Sequence, residues 1–389
     1  MKHGYDAIVI GAGIVGAACA LELAKSGMSV AVIERDGVAS GATGAAMGHI
    51  VVMDDSPAQF ALTRYSQSLW HELSPELPAT IEYAQPGTIW VAADEEEMAE
   101  LRRKQQFFAA NNIPAAILDA KQLAEAEPNL SRSMAGGLLV SSDAILDPTR
   151  AAHHLLEQTL RHNAELLLGR VVTNAANGRV VLEDNTEFTA SIVINATGAL
   201  SPNLSPGIPV RKRKGHLSIT SPYPGYVHHQ LIELGYLKSA HDSDADSVAF
   251  NVQPRQNGQI LIGSSRQFGS ESPEIDRHII EAMIERASLY MPEITSLATV
   301  RTWTGFRAAT PDKLPLIGPT EDSSISLATG HEGLGITTSL ATARLLADYL
   351  LGKTPPIPID PYLPSRMRNV PPEASTDAHS QTLTNGVFP

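Results

Sequence analysis

Cysteine is almost absent: Cys19 is the only one in 389 residues. An internal disulfide and a cysteine-ligated zinc or iron–sulfur centre are thereby excluded, and a reducing compartment fits. A surplus of positive charge is also lacking. The chain has 42 acids against 29 lysines and arginines, a formal charge of −13. A nucleic-acid binder usually shows a basic face, so that class is disfavoured. Long apolar runs are missing too. The longest, residues 7–21, lies between Asp6 and Glu22. It is shorter than the roughly 20 residues of a spanning helix, and it is rich in glycine. Lys2 is nearly alone as a basic leader, and Gly16 stands where a lipoprotein-type cleavage before Cys19 would want leucine. Cytoplasmic residence is the expectation, with a peripheral contact on the inner membrane face left open.

What is present suits a large enzyme. The length predicts two or three domains, and 43% apolar residues suffice for real cores. Residues 5–10 read as a buried strand and 14–25 as a helix ending at Ser26-Gly27. Residues 29–34 read as a second strand, completing a βαβ unit and hence a parallel sheet. Further helices are expected at 58–73, 95–111, 147–163, 275–291 and 336–351. Strands are expected at 165–172, 179–182, 188–195, 299–309 and 324–329. Residues 250–254 and 259–263 form a hairpin across Gln256-Asn257-Gly258. From Pro355 the chain turns proline-rich and polar, which predicts a tail that packs little.

Gly11-Ala12-Gly13-Ile14-Val15-Gly16 is GxGxxG, directly after a strand and opening a helix. Gly11 makes the tight turn, Gly13 lets a pyrophosphate approach the backbone, and Gly16 lets helix and strand pack closely. Glu34 ends the next strand, where a carboxylate binds the two hydroxyls of a ribose. Arg35 beside it raises the question of a 2′-phosphate, which the carboxylate argues against. The small, polar loop holding Ser40, Thr43, Ala46, Met47 and Gly48 can wrap a second face of a pyrophosphate. Thr197-Gly198 follows Asn195 at a strand end, where tight backbone passes close to a cofactor. Gly333-Leu334-Gly335-Ile336 joins the last strand to the last helix, whose N-terminus stabilises negative charge. The pairs His153-His154 and His228-His229 lack metal-ligand spacing, so no metal is expected. The run Arg211-Lys212-Arg213-Lys214 reads as a solvated surface.

Four stretches give the chain a family look: the glycine fingerprint with Glu34, the turn 195–198, Trp303-Thr304-Gly305-Phe306-Arg307 leading to Pro315-Leu316-Ile317-Gly318, and the turn 330–336. Together they resemble the D-amino-acid-oxidase-like FAD family, which includes glycine oxidase, sarcosine oxidase and D-amino-acid dehydrogenases. The resemblance runs from Asp6 to about Gly352. Residues 47–55 and 330–335 look most like bacterial D-hydroxyproline dehydrogenase and opine oxidase flavin subunits.

The resemblance implies an α/β fold with a Rossmann-like FAD-binding domain of glutathione-reductase type (1–80, 140–210 and 300–355). Interleaved with it is an α+β substrate domain with a mixed sheet (81–139 and 211–299), and 356–389 is an extended tail. It implies noncovalent FAD and an amino- or imino-acid substrate, such as cis-4-hydroxy-D-proline or another D-amino acid. Hydride would pass from Cα to flavin N5, and electrons to a partner or a respiratory acceptor. Two alternatives stay open: an oxygen-using glycine- or sarcosine-type oxidase, and a flavin-binding electron-transfer subunit without its own substrate chemistry. Subunits with an iron–sulfur centre or a second flavin are implied as partners.

By the same resemblance Arg307 holds the substrate carboxylate, a task suited to a guanidinium fork. Val172 contacts adenine through its backbone, and one cation of 211–214 approaches the flavin. Two departures mark the pocket. Asn251 stands where relatives have tyrosine, and Gly333 where they have arginine. Glu332 and His49 are candidates for the polar groups that replace them.

Overall fold

The computed structural model describes residues 4–234 and 246–368. Its first sheet grows from the apolar strand Gly4–Ile10, which lies between Glu187–Asn195 and Val30–Glu34. Ala164–Leu168 continues one side; Ile325–Thr329 and then Leu316–Pro319 continue the other. All pairs along this path are parallel except the last. Ala7 and Val9 enter one core while Ile8 and Ile10 enter another. Both faces of the strand are therefore buried, which is why its sequence is an apolar run rather than an alternation. Helices Ile14–Lys25, Pro57–Leu73, Pro148–Leu160 and Gly335–Leu350 share the core on the first of these faces. Ser56 caps the second helix, its hydroxyl accepting from the Gln59 N–H.

The second sheet has eight strands in the order Thr299–Ala309, Arg211–Thr220, Ile260–Phe268, Ser247–Pro254, Gln230–Glu233, Thr88–Ala92, Gly136–Val140 and Ala115–Asp119. It is mixed, because Gln230–Glu233 runs parallel to Thr88–Ala92 while its other neighbours pair antiparallel. Helix Arg277–Tyr290 covers it through Met283, Ala287 and Tyr290, whose ring stacks on Phe250 at 4.5 Å.

Several expectations need correction. Strand Thr299–Ala309 belongs to the second sheet, since Arg211 to Thr220 pair along it; the chain rejoins the first sheet at Leu316, not at 300. The strand expected over 165–172 stops at Leu168, because Gly169 (φ +66°) turns the chain and Val172–Ala176 begins a separate pairing. The run 211–214 is not a solvated surface: Arg213 and Lys214 point to opposite faces of an inner strand and both are buried, because both faces of that strand are covered here. Lys214 finds Asp276 at 2.9 Å. The segment after Pro355 packs firmly as far as it is described. Ile359, Tyr362 and Met367 are buried, the Tyr362 hydroxyl donates to Ala58 O at 2.7 Å, and Arg366 pairs with Asp312. Apolar side chains spaced among the prolines supply a face that the composition concealed. Residues 369–389 lie outside the described residues.

Candidate active site

The glycine loop shows why glycine is needed there. Gly11 has φ +108°, and a Cβ on it would stand 2.7 Å from Ala196 O. On Gly16 a Cβ would stand 2.0 Å from Gly11 O. Gly13 precedes the helix in extended conformation, and the Ile14 N–H at the helix start donates to Thr43 Oγ1 at 3.1 Å. Glu34 is buried at the end of its strand. Its carboxylate accepts from the Ala12 N–H at 2.8 Å and from the Asp36 N–H at 2.9 Å, so it braces the loop. Arg35 turns outward and pairs with Asp36. Thr197 bonds the buried Asn195 at 2.7 Å, and Gly198 follows at φ +57°. Val172 lies just past a turn in which the Arg170 N–H donates to Glu34 O. Ser40 is exposed, its N–H bonded to Gly37 O. Gly48 (φ +95°) has no room for a side chain, since a Cβ would lie 2.0 Å from Leu146 O. These residues, from Gly11 to Gly198, form a cradle along the strand ends of the first sheet.

From the cradle a cavity opens between the two sheets. One wall holds Ile14, Val15, Thr43, Ala46, Met47 and His49, with Gly333, Leu334, Gly335 and Ile336 at the start of the last helix. Asn251, Arg307 and Glu332 line the same cavity, with Glu332 bridged to Ala308 beside Arg307. All four candidates for substrate chemistry, Arg307, Asn251, Glu332 and His49, thus meet in one cavity. Gly11, Gly13, Gly16, Glu34, Arg35, Ser40, Gly48, Val172, Thr197 and Gly198 do not line it; they belong to the cradle.

Arg307 is held in a slot. Its Nη1 donates to Ser265 O at 2.9 Å, and a Cβ on Gly215 would lie 2.4 Å from that nitrogen. A Cβ on Gly333 would stand 3.6 Å from Nε. Beneath the slot, Ser265 Oγ bonds the His216 N–H at 2.9 Å and ring Nδ1 at 3.0 Å, and His216 Nε2 accepts from the Asp276 N–H. With Nε2 accepting, Nδ1 carries the proton and donates. Burial and the neighbouring Lys214 push the His216 pKa down to about 4, so the ring is neutral near pH 7.

The cavity surroundings are rich in polar groups that the chain leaves unmatched. His49 Nε2, Gln59 Oε1, Trp90 Nε1, Asn251 Oδ1 and Ser264 Oγ are buried without a hydrogen-bond partner. Unmatched buried groups are costly, and a ligand in the cavity can pair with these. Burial lowers the His49 pKa to about 4, keeping it neutral. The sequence reading missed Gln59, Trp90, Ser264, Arg266 and Lys313, and placed Arg213 on a surface. Nothing local marked the others, because partners far apart in the chain bring them together.

The chain from residue 6 to 349 matches the family described as FAD dependent oxidoreductase. Hydrogen cyanide synthase subunit HcnC of Pseudomonas aeruginosa is 28% identical, over 95% of this chain and 98% of that protein. Glycine oxidase of Geobacillus kaustophilus is 27% identical over 93% and 97%. The crystal structure of glycine oxidase from that organism superposes with a TM-score of 0.85 at 25% identity, covering 94% of this chain and 99% of the other. FAD fits the cradle: close-approach glycines, a carboxylate at the second strand end, and two helix N-termini directed at one groove. A match over most of the length, together with that cradle, places this chain in the FAD dependent oxidoreductase family.

Proposed function

We propose that the protein oxidises an amino or imino acid at its Cα–N bond, with noncovalently held FAD as acceptor. The observation that carries this is Arg307, which lines the cavity with its guanidinium fixed over the bare backbone of Gly215 and next to Gly333, just before the last helix. Relatives support the class: glycine oxidase by sequence, and among solved structures an L-proline dehydrogenase from P. horikoshii and an iminodiacetate oxidase, which share the fold.

When bound, FAD supplies the hydride acceptor. The residues of the chain do the rest. Gly11, Gly13 and the helix start at Ile14 hold the pyrophosphate, Glu34 the ribose, and the backbone at Val172 the adenine. Arg307 takes the substrate carboxylate with two parallel hydrogen bonds. Ser265 and Gly215 keep its fork in place, which fixes where Cα sits. The start of helix Gly335–Leu350 faces the region where negative charge develops. The amine must be neutral before hydride can leave, and burial keeps the neighbouring His49 neutral as well. Asn251 and the hydroxyl of Ser264 are hydrogen-bonding groups on the substrate side, compatible with a hydroxylated imino acid such as cis-4-hydroxy-D-proline.

The two sheets are read as two interleaved domains with the site at their seam. HcnC is named as a subunit of a larger enzyme, which favours a partner that carries electrons onward through an iron–sulfur centre or a second flavin. Among the described residues no helix is long and apolar enough to cross a membrane; the proposed location is the cytoplasm.

The test is an anaerobic panel of D- and L-amino acids and cyclic imino acids. At least one is expected to bleach the flavin, and acid precipitation should release FAD to the supernatant. A chain that dithionite reduces but no amine does would be an electron-transfer subunit. Rapid oxidation of the reduced protein by oxygen would make it an oxidase.

A further inference from the structure

Glu332 holds a backbone conformation that suits glycine better. Its φ is +52°, in the left-handed region, where a residue with a Cβ is strained. Glycines stand close by at 330 and 333; what a glycine at 332 would not supply is the carboxylate. That side chain is only 8% exposed and is ion-paired with Arg213. The Glu332 N–H donates to Ala308 O at 2.9 Å, a bridge to the residue after Arg307. Arg213 and Ala308 lie on adjacent strands of the second sheet, and Arg213 is registered opposite Arg307. Glu332 itself belongs to the turn between strand Ile325–Thr329 of the first sheet and helix Gly335–Leu350. One residue of that turn therefore grips the second sheet at two points flanking Arg307, the residue after it and the residue opposite it. The turn is also fixed to its own helix. Buried His331 bonds Thr342 Oγ1 at 3.0 Å, and the Leu334 N–H donates to His331 O at 2.9 Å. No side chain caps the helix start, which leaves its dipole for a negative group in the cavity.

We propose that Glu332 is a positioning residue. With Arg213 it sets the separation between the strands that carry Arg307 and the start of the last helix. It thereby sets where a carboxylate held by Arg307 stands relative to that helix start and the flavin beside it. For the role of Arg307 this rests on the amine-oxidising reading above; the tie between turn and sheet rests on the contacts themselves. Glu332 acts through Arg213 and the backbone at Ala308, not on the substrate. A buried ion pair adds little net stability over a packed apolar pair, and its best-attested use is to fix register. Two anchor points on neighbouring strands restrain the turn against sliding and against rotation, which one contact does not. The demand is strict, because a misplacement of about 1 Å can cost about 100-fold in rate.

The main test uses the full chain holding FAD and needs no amine. Sulfite adds to an oxidised flavin and leaves negative charge on the ring, so its affinity reads the field of the helix start. Arg213→Met combined with Glu332→Gln removes the tie at constant net charge. We expect unchanged FAD content and sulfite binding weakened about fivefold. Arg213→Lys, which keeps an ion pair, should stay within about twofold of the parent. Sulfite affinity within about twofold of the parent in the double variant overturns the proposal. If the double variant does not fold, Glu332→Gly carries the test, since it relaxes the left-handed backbone and deletes the tie. Loss of a negative charge alone would tighten sulfite there, so weaker binding supports the proposal and equal or tighter binding overturns it. With an amine that bleaches the flavin, the double variant should lower the limiting rate of reduction about tenfold, with half-saturation little changed. A raised half-saturating concentration at an unchanged limiting rate would make Glu332 part of substrate binding and overturn the proposal. If no amine bleaches the parent, the amine-oxidising reading falls, and the sulfite titration still decides the role of Glu332.

Discussion

The two sides of the site are built from different material. On the first sheet the cradle is backbone: glycines where a Cβ would collide, strand ends, and helix starts. On the second sheet the working parts are side chains whose meeting depends on the register of neighbouring strands, as Arg213 opposite Arg307 shows. Backbone cradles tolerate almost no substitution. Side-chain walls can be rewritten residue by residue while the fold stays, and that is where members of one family can differ in substrate.

The sharpest way to break this contrast is Gly16→Ala. The added Cβ would sit 2.0 Å from Gly11 O, and backbone cannot retreat that far without opening the turn. We expect a protein without flavin and with a lowered unfolding midpoint, read by absorbance and calorimetry. A fully flavinated variant would show that the cradle is looser than its geometry.

Arg307→Ala should do the reverse, leaving FAD content intact and raising KM. Truncating one partner of a desolvated ion pair typically costs about 2–5 kcal/mol, or about 30-fold to over a thousandfold in affinity. Arg307→Lys should recover only part, because a point charge does not reproduce the fork. Steady-state kinetics with an artificial acceptor decides it; a KM within about twofold of the parent would contradict the ~2 kcal/mol lower bound and make the arginine structural.

Gly215→Ala crosses the two categories, being a glycine that serves a side chain. Its Cβ would lie 2.4 Å from Arg307 Nη1, and a flexible side chain can move aside. We expect full flavin, near-normal stability and a KM raised by about tenfold, ~1.4 kcal/mol, with part of the loss in kcat. An unchanged KM would show that the slot does not position the guanidinium.

A last effect, on stability rather than on substrate, concerns the seam. Asp143 is buried, accepts from Gln67 Nε2 at 2.9 Å and the Val52 N–H at 3.3 Å, and its pKa is pushed up by burial to about 7. Unfolded, it would titrate near 3.8. Between those values the folded state holds a proton that the unfolded state has lost, so this group's contribution falls as pH rises and is lowest above pH 7. Asp143→Asn should flatten that slope and raise the unfolding midpoint at pH 8, by at most about 4 kcal/mol in stability. A midpoint lower at pH 8 than the parent's would mean that the charged form is the stabilising one.

The same contrast explains what could be read beforehand. The βαβ start was legible from Gly11 to Glu34, because each glycine answers a local steric demand. Arg307 was legible only through its motif. Arg213 was misplaced because four consecutive basic residues look solvated, and nothing local shows that the strand becomes covered on both faces from Arg213 onward. Arg266 and Lys313 carry no local mark, since a strand and a loop brought together across long sequence separations carry them to the cavity. The strands at 88–92, 115–119 and 136–140 went unread for a related reason: their order depends on a parallel pairing with 230–233. The end of the chain was misjudged because proline content hid Ile359 and Tyr362.

The order of strands in the first sheet also bears on how the protein is made. Gly4–Ile10 needs Glu187–Asn195 as a neighbour, and that strand in turn needs Ile325–Thr329. The first helix shares its core with the last, Gly335–Leu350. Synthesis runs from the N-terminus, so the nucleotide loop emerges at the start while the pieces that enclose it emerge near the end. A nascent chain halted before residue 335 would present the loop without its closing helix, so the cradle is complete only once that helix has emerged.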